Sequence, residues 1–159
     1  MTMTEQSVPM IVPLGVEFER QFADFLLRLA VNGDEATFHP HALTREAAAE
    51  LVRYRGRDLY YAFVDEEQVL AYGMLRGWDQ GFDIPSLGIA VDPSARGCGI
   101  GLALMYFLQA VARRRGSASI RLTVAASNRP AIKLYERLGY RFEPYRESDL
   151  LGILSLTSA

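Results

Sequence analysis

Gly97, Gly99 and Gly101 alternate with Cys98 and Ile100 directly after Arg96, in the stretch Ala90-Val91-Asp92-Pro93-Ser94-Ala95-Arg96-Gly97-Cys98-Gly99-Ile100-Gly101. A short apolar run, Leu87–Val91, leads into this loop and reads as a strand buried on both faces. Ile100, Leu104, Phe107, Leu108 and Val111 follow it at helical spacing. Glycine lets bare N–H groups approach a ligand, and a helix start adds orphan donors and about half a positive charge. Together these suit a phosphate, to which Arg96 could add a charge-assisted bond. The same glycines could serve only to relieve crowding in a tight connection. Two common nucleotide motifs fail on spacing. Leu102 stands where a dinucleotide loop needs its last glycine, no acid follows about 20 residues on, and the Gly-Lys-Ser/Thr of a P-loop is absent.

Other chemistry-bearing residues are less tightly patterned. His39-Pro40-His41 has no cysteine or placed carboxylate beside it, so no metal is expected. A loop histidine is most often simply solvated, and a role toward a substrate is the alternative. Trp78, Asp79, Phe82 and Asp83 crowd a second loop, where aromatic faces and acids would suit a cationic amine, or where the aromatic residue would only cap a hairpin. Arg113-Arg114-Arg115 complements the negative end of a helix. Cys98 has no histidine or second cysteine marking it as a nucleophile.

The elements that must position these residues follow from periodicity. Val8–Val16 reads as a strand, and Glu17–Val31 as a helix buried through Phe18, Phe22, Phe25, Leu26 and Leu29. Asn32-Gly33 stops it, residues 35–43 form a loop, and Thr44 caps a second helix running to Val52. Leu59–Val64 and Val69–Leu75 form a hairpin turning on residues 65–68. After the glycine loop and its helix come a strand at Ile120–Val124, a helix at Ser127–Leu138 with Pro130 in its first turn, and strands at Tyr140–Tyr145 and Leu150–Leu156. The order β α α β β β α β α β β is that of an α/β layer protein with a mixed sheet.

The pattern Arg/Gln-x-x-Gly-x-Gly/Ala, met by Arg96, Gly99 and Gly101, resembles the central motif of the GNAT family of N-acetyltransferases. Asn128 through Tyr135 to Leu138-Gly139-Tyr140 resembles that family's second signature. The resemblance is strong over residues 84–145, and the element order fits nearly the whole chain. It implies a mostly antiparallel sheet of about seven strands with four helices, splayed between the strands near 87–91 and 120–124. It also implies acetyl-CoA as co-substrate. Its pantetheine would pair with Ile89, Ala90 and Val91, its pyrophosphate would meet Arg96, Gly97, Cys98, Gly99, Ile100, Gly101 and Leu102, and Asn128 would hydrogen-bond the arm. Tyr135 would sit near the sulfur, as general acid to the leaving thiolate or as core. Some family members carry a carboxylate on the strand before the glycine loop, whereas Leu87–Val91 has no titratable group. The base is therefore unassigned, with His39, His41 and Asp83 as candidates and Asp79 and Tyr72 behind them. His39, Trp78, Asp79 and Asp83 are the expected acceptor contacts. The two loops faintly resemble those of family members that act on amino sugars; acylation of protein N-termini and non-catalytic CoA binding are the rival readings.

Bulk properties set the bounds. The chain of 159 residues carries a net charge of −2, with a pI of about 5.7. That length suits one domain, with residues 1–7 as a flexible tail. No basic excess invites nucleic acid, and no apolar run reaches the roughly 18 residues of a membrane span. A lone cysteine and a polar N-terminus without a signal-peptide pattern suit the cytoplasm. The partner is expected to be a small-molecule amine; if the chain oligomerises, a homodimer is the commonest form.

Overall fold

A computed structural model describes residues 7–38 and 40–157. His39 and nearly all of the expected tail lie outside the described residues. Seven strands form one sheet in the order β1-β2-β3-β4-β5-β7-β6. They are β1 (Met10–Pro13), β2 (Leu59–Asp65), β3 (Gln68–Arg76), β4 (Ser86–Val91), β5 (Ser119–Ala125), β6 (Arg141–Arg146) and β7 (Asp149–Ser155). The helices are α1 (Glu19–Val31), α2 (Arg45–Val52), α3 (Ile100–Arg114) and α4 (Arg129–Arg137). Every neighbouring pair is antiparallel except β4 and β5. This is the mixed, mostly antiparallel sheet with four helices that the motifs imply.

Local chemistry accounts for the element ends. Thr44 accepts a hydrogen bond from the Ala47 amide at 3.1 Å and starts α2, while Asn128 does the same for Ala131 and starts α4. Glu66 and Glu67 both take positive φ, which lets a two-residue turn join β2 to β3 with the strands' own twist. The first strand is shorter than its apolar run, because Gly15 opens a 3-10 turn at Val16–Phe18.

Two apolar clusters hold the layers together. Phe22, Phe25, Leu26 and Leu29 of α1 pack with Ala48 and Val52 of α2 against Ala62, Tyr72 and Met74 on one face of β2 and β3. Met105, Leu108 and Ala112 of α3 pack with Ile132 of α4 against Leu75, Leu87, Ile120, Leu122 and Val124. Alternation along the strands thus sends Tyr72, Met74 and Ala90 toward α1 and α2, and Leu75, Leu87 and Ile89 toward α3. The buried stripe of α3 differs from the expected one: Leu104, Met105, Leu108 and Ala112 are buried, whereas Ile100, Phe107 and Val111 are half-buried. Strand β4 is not buried on both faces. Only Leu87 is enclosed, because the neighbouring strand turns away from the rest of β4.

Candidate functional site

The parallel pair β4–β5 is joined at one rung, Ser86 opposite Arg121, supported by the Arg121 amide donating to Pro85 O at 3.0 Å. Beyond that rung the strands separate and leave a cleft of about 850 Å³. Leu87 and Gly88 form its floor. Ile89, Val91, Leu122, Val124, Leu134 and Tyr135 line it toward α3 and α4, and Phe38, Pro40, Ala90, Thr123 and Asp149 line it toward the α1 face. The cleft is therefore open to both faces of the sheet.

The glycine loop stands at the cleft's wide end. Gly97 and Gly99 have φ of +81° and +91°, and nothing lies within 4 Å of where a side chain would begin. These two glycines are required by the backbone. Gly101 is not: it is helical, and an added Cβ would meet only Val91 Cγ2, at 3.4 Å. Its lack of a side chain keeps the cleft wall bare. The helix ladder starts with the Ala103 amide donating to Gly99 O, and no amide from Gly97 to Leu102 donates to another described residue. Unspent donors, open space above them and a helix start fit a pyrophosphate. Asp92 braces the loop from beneath. Burial works to raise its carboxyl, but bonds from Arg28 and from the Ser94 hydroxyl and amide outweigh burial and hold it below the usual range.

Arg96 lines the cleft, but its charge is partly engaged. Its Nη2 donates to Asp34 Oδ2 at 2.9 Å and its Nε to Val91 O at 3.1 Å, tying the loop to the segment after α1. Cys98 is exposed and its thiol donates to Ala95 O. Asn128 spends its side-chain oxygen on the α4 cap and keeps its amide hydrogens for the cleft it lines. Tyr135 sits in the cleft wall beside Tyr140 and Phe142, and burial pushes its phenol up, so it holds its proton at neutral pH.

The expected acceptor contacts fare differently. Trp78 is buried under Arg115, whose guanidinium lies 4.4 Å from the ring centre, and it belongs to the α3 cluster. Asp79 turns its carboxylate to the Arg57 amide. Asp83 is exposed on the same loop, at the closed end of the splay. None of the three lines the cleft. The loop's composition suggested an amine wall, but its aromatic ring instead closes the core beneath α3. His41 packs against Phe38 and Tyr72, with Nδ1 donating to Ala42 O and Nε2 buried without a partner among the described residues. Burial lowers its pKa and keeps it neutral. It stands behind the wall that Phe38 and Pro40 present. Residues without a sequence signal also line the cleft: Asp34, Thr37, Phe38 and Pro40 arrive from the α1–α2 connection and Asp149 from the edge of β7. No local pattern marks them: the connection has little regular structure to give a period, and Asp149 is brought there only by the order of the strands.

The model of the acetyltransferase (GNAT) family matches residues 25–140. The chain belongs to that family. A mycothiol acetyltransferase of Thermomonospora curvata is 46% identical over 52 residues, which are 33% of this chain and 18% of the relative. A ribosomal protein bS18-alanine N-acetyltransferase of Escherichia coli K12 is 48% identical over 52 residues, 33% of this chain and 35% of the relative. The matches thus span about a third or less of these relatives. The solved structure of a PaiA N-acetyltransferase from Thermoplasma acidophilum in complex with coenzyme A shares the fold, with a TM-score of 0.75 at 15% identity over 93% of this chain and 99% of that one.

Proposed function

We propose that the chain transfers the acetyl group of acetyl-CoA to the primary amine of a small molecule, by direct attack and without a covalent enzyme intermediate. The observation that carries this reading is the cleft through the sheet. A donor held on the glycine-loop side and an acceptor entering from the α1 side can meet over Leu87 and Gly88 without either leaving its face. The amides of Gly97 to Leu102 would hold the pyrophosphate, and the Asn128 amide would orient the arm. Acetyl-CoA supplies the activated thioester. The Tyr135 hydroxyl, kept protonated by burial, would donate to the departing sulfur. Cys98 faces Ala95 O from the loop and is not placed to attack.

An amino sugar is the weaker acceptor class, because the aromatic and acidic loop that suggested it does not line the cleft. Among the described residues no group of three potential metal ligands exists, and no helix is long and apolar enough to cross a membrane. Thiol release from acetyl-CoA, followed with a panel of primary amines, tests the proposal. Amine-dependent release is expected. Acetyl-CoA binding by calorimetry without release for any amine would make the chain a CoA-binding module instead.

A further inference from the structure

Among the described residues, three charged residues line the cleft: Asp34, Arg96 and Asp149. Asp34 and Arg96 neutralise each other in an ion pair of 2.9 Å. Asp149 has no such partner. It is half-buried, and the ion pairs among the described residues leave it out. Its register partner on β6, Arg146, rests its guanidinium carbon 5.0 Å from the Tyr145 ring centre, and that of Arg121 lies 5.5 Å from the same ring. The cleft thus holds one carboxylate without a counter-charge.

Register fixes its place. Asp149 pairs with Ala125 of β5, and register partners point to the same face. Leu122 and Val124 belong to the α3 cluster, so Thr123, Ala125 and Asp149 face the α1 side, from which the acceptor enters. Along β5, Ala125 stands four residues beyond the closed rung at Arg121, whereas Gly88 stands two beyond Ser86 on β4. Asp149 is therefore about 7 Å nearer the wide end than the point where amine and thioester meet. Phe38, Pro40 and Ala90 make the wall of the same side apolar.

We propose that the Asp149 carboxylate binds a second ammonium group of the acceptor, which makes the acceptor an aliphatic diamine; this rests on the acetyl-transfer reading above. A carboxylate beside the reacting nitrogen would hold it as ammonium, with no lone pair to attack. Set about 7 Å away, it holds the far nitrogen instead, and that fixed positive charge disfavours a second one on the reacting nitrogen. The span selects the chain. About four or five carbons between the nitrogens cover it, at roughly 1.3 Å of extended length per bond, and the apolar wall suits their methylenes. In the transfer the neutral amine forms the C–N bond and the C–S bond breaks. The sulfur takes the Tyr135 proton, and the surplus proton of the nitrogen restores it through water.

Diaminobutane and diaminopentane, each against the monoamine and the amino alcohol of the same chain length, test this by thiol release at equal free-amine concentration. At least one diamine should exceed both its controls by about 10-fold or more in kcat/KM, the scale of a charge-assisted bond. Ethylenediamine, too short for the span, should show no such advantage over ethylamine. In Asp149→Asn the diamine preference should shrink to within about threefold, through a higher diamine KM with the acetyl-CoA KM unchanged. Asp149→Glu should retain part of it. If Asp149→Asn does not fold by circular dichroism, Asp149→Ser carries the same reading. Monoamines or amino alcohols used as well as the diamines by wild type, or a diamine preference intact in a folded Asp149→Asn or Asp149→Ser protein, would overturn the Asp149 site while leaving acetyl transfer standing. No thiol release with any amine would remove the transfer reading, and this inference with it.

Discussion

The two sides of the cleft are built from different material. On the α3 side the groups left unspent are backbone amides, and side chains are absent beside them: Gly97 and Gly99 allow the turn, and Gly101 leaves the wall bare. On the α1 side the wall is made of side chains from separate elements, Phe38 and Pro40 of the α1–α2 connection, Thr123 of β5 and Asp149 of β7, which only the fold brings together. A backbone site needs a contiguous run of permissive residues. A side-chain site needs strands in the right order, and the intervening sequence is free. The first kind suits a cofactor common to a family, and the second suits an acceptor that can differ from member to member.

This contrast can be strained at several points. Where the two sides meet, Tyr135→Phe should lower kcat by about 100-fold or more, the usual scale of general acid catalysis, with little change in the acetyl-CoA KM. Initial rates check it, and turnover within a few-fold of wild type would make Tyr135 core alone. Beneath the glycine loop, Asp92→Asn should cost about 2 kcal/mol, because the buried carboxylate holds Arg28 of α1 and the Ser94 turn together. The pH dependence has a definite sign. The folded carboxyl is held below its ordinary value, so its contribution is complete above a pH of about 4 and fades as pH falls through the lowered value. Melting temperatures measured downward from neutral pH should fall less steeply in Asp92→Asn than in wild type.

Within the loop itself, Gly99→Ala should destabilise by about 1–2 kcal/mol, since an alanine pays for left-handed backbone. Gly101→Ala should leave stability equal or raise it by up to about 1 kcal/mol, since its backbone is helical. Urea unfolding separates the two, and equal losses would mean that both glycines serve only the turn. A further loss, without consequence for the cofactor, lies far from the cleft. Thr44→Ala should cost about 1 kcal/mol through the lost α2 cap, with acetyl-CoA affinity unchanged by calorimetry.

Much of this was legible in the sequence because its signals are local. Glycines at 97, 99 and 101, Asn128 seven residues before Tyr135, and Thr44 ahead of an apolar stripe each declare themselves within one element. Trp78 misled because an aromatic residue in an acidic loop looks the same whether it meets a ligand or, as here, the underside of Arg115. Thr123 gave no signal: Leu122-Thr123-Val124 reads as ordinary strand alternation, and its place in the cleft wall appears only once β4 lies beside it. The cleft-lining residues of the α1–α2 connection were equally silent, since a connection that adopts little regular structure has no period to read.

The most direct test of the backbone cradle is calorimetric titration of acetyl-CoA into wild type and Gly101→Val, with folding of both verified by circular dichroism. The side chain would project from a helical position past Val91 into the space above the unspent amides. Wild type should bind, and the folded variant should bind at least about 10-fold more weakly, a loss of roughly 1.4 kcal/mol. Equal affinity in a folded Gly101→Val protein would contradict a pyrophosphate held on the amides of Gly97 to Leu102.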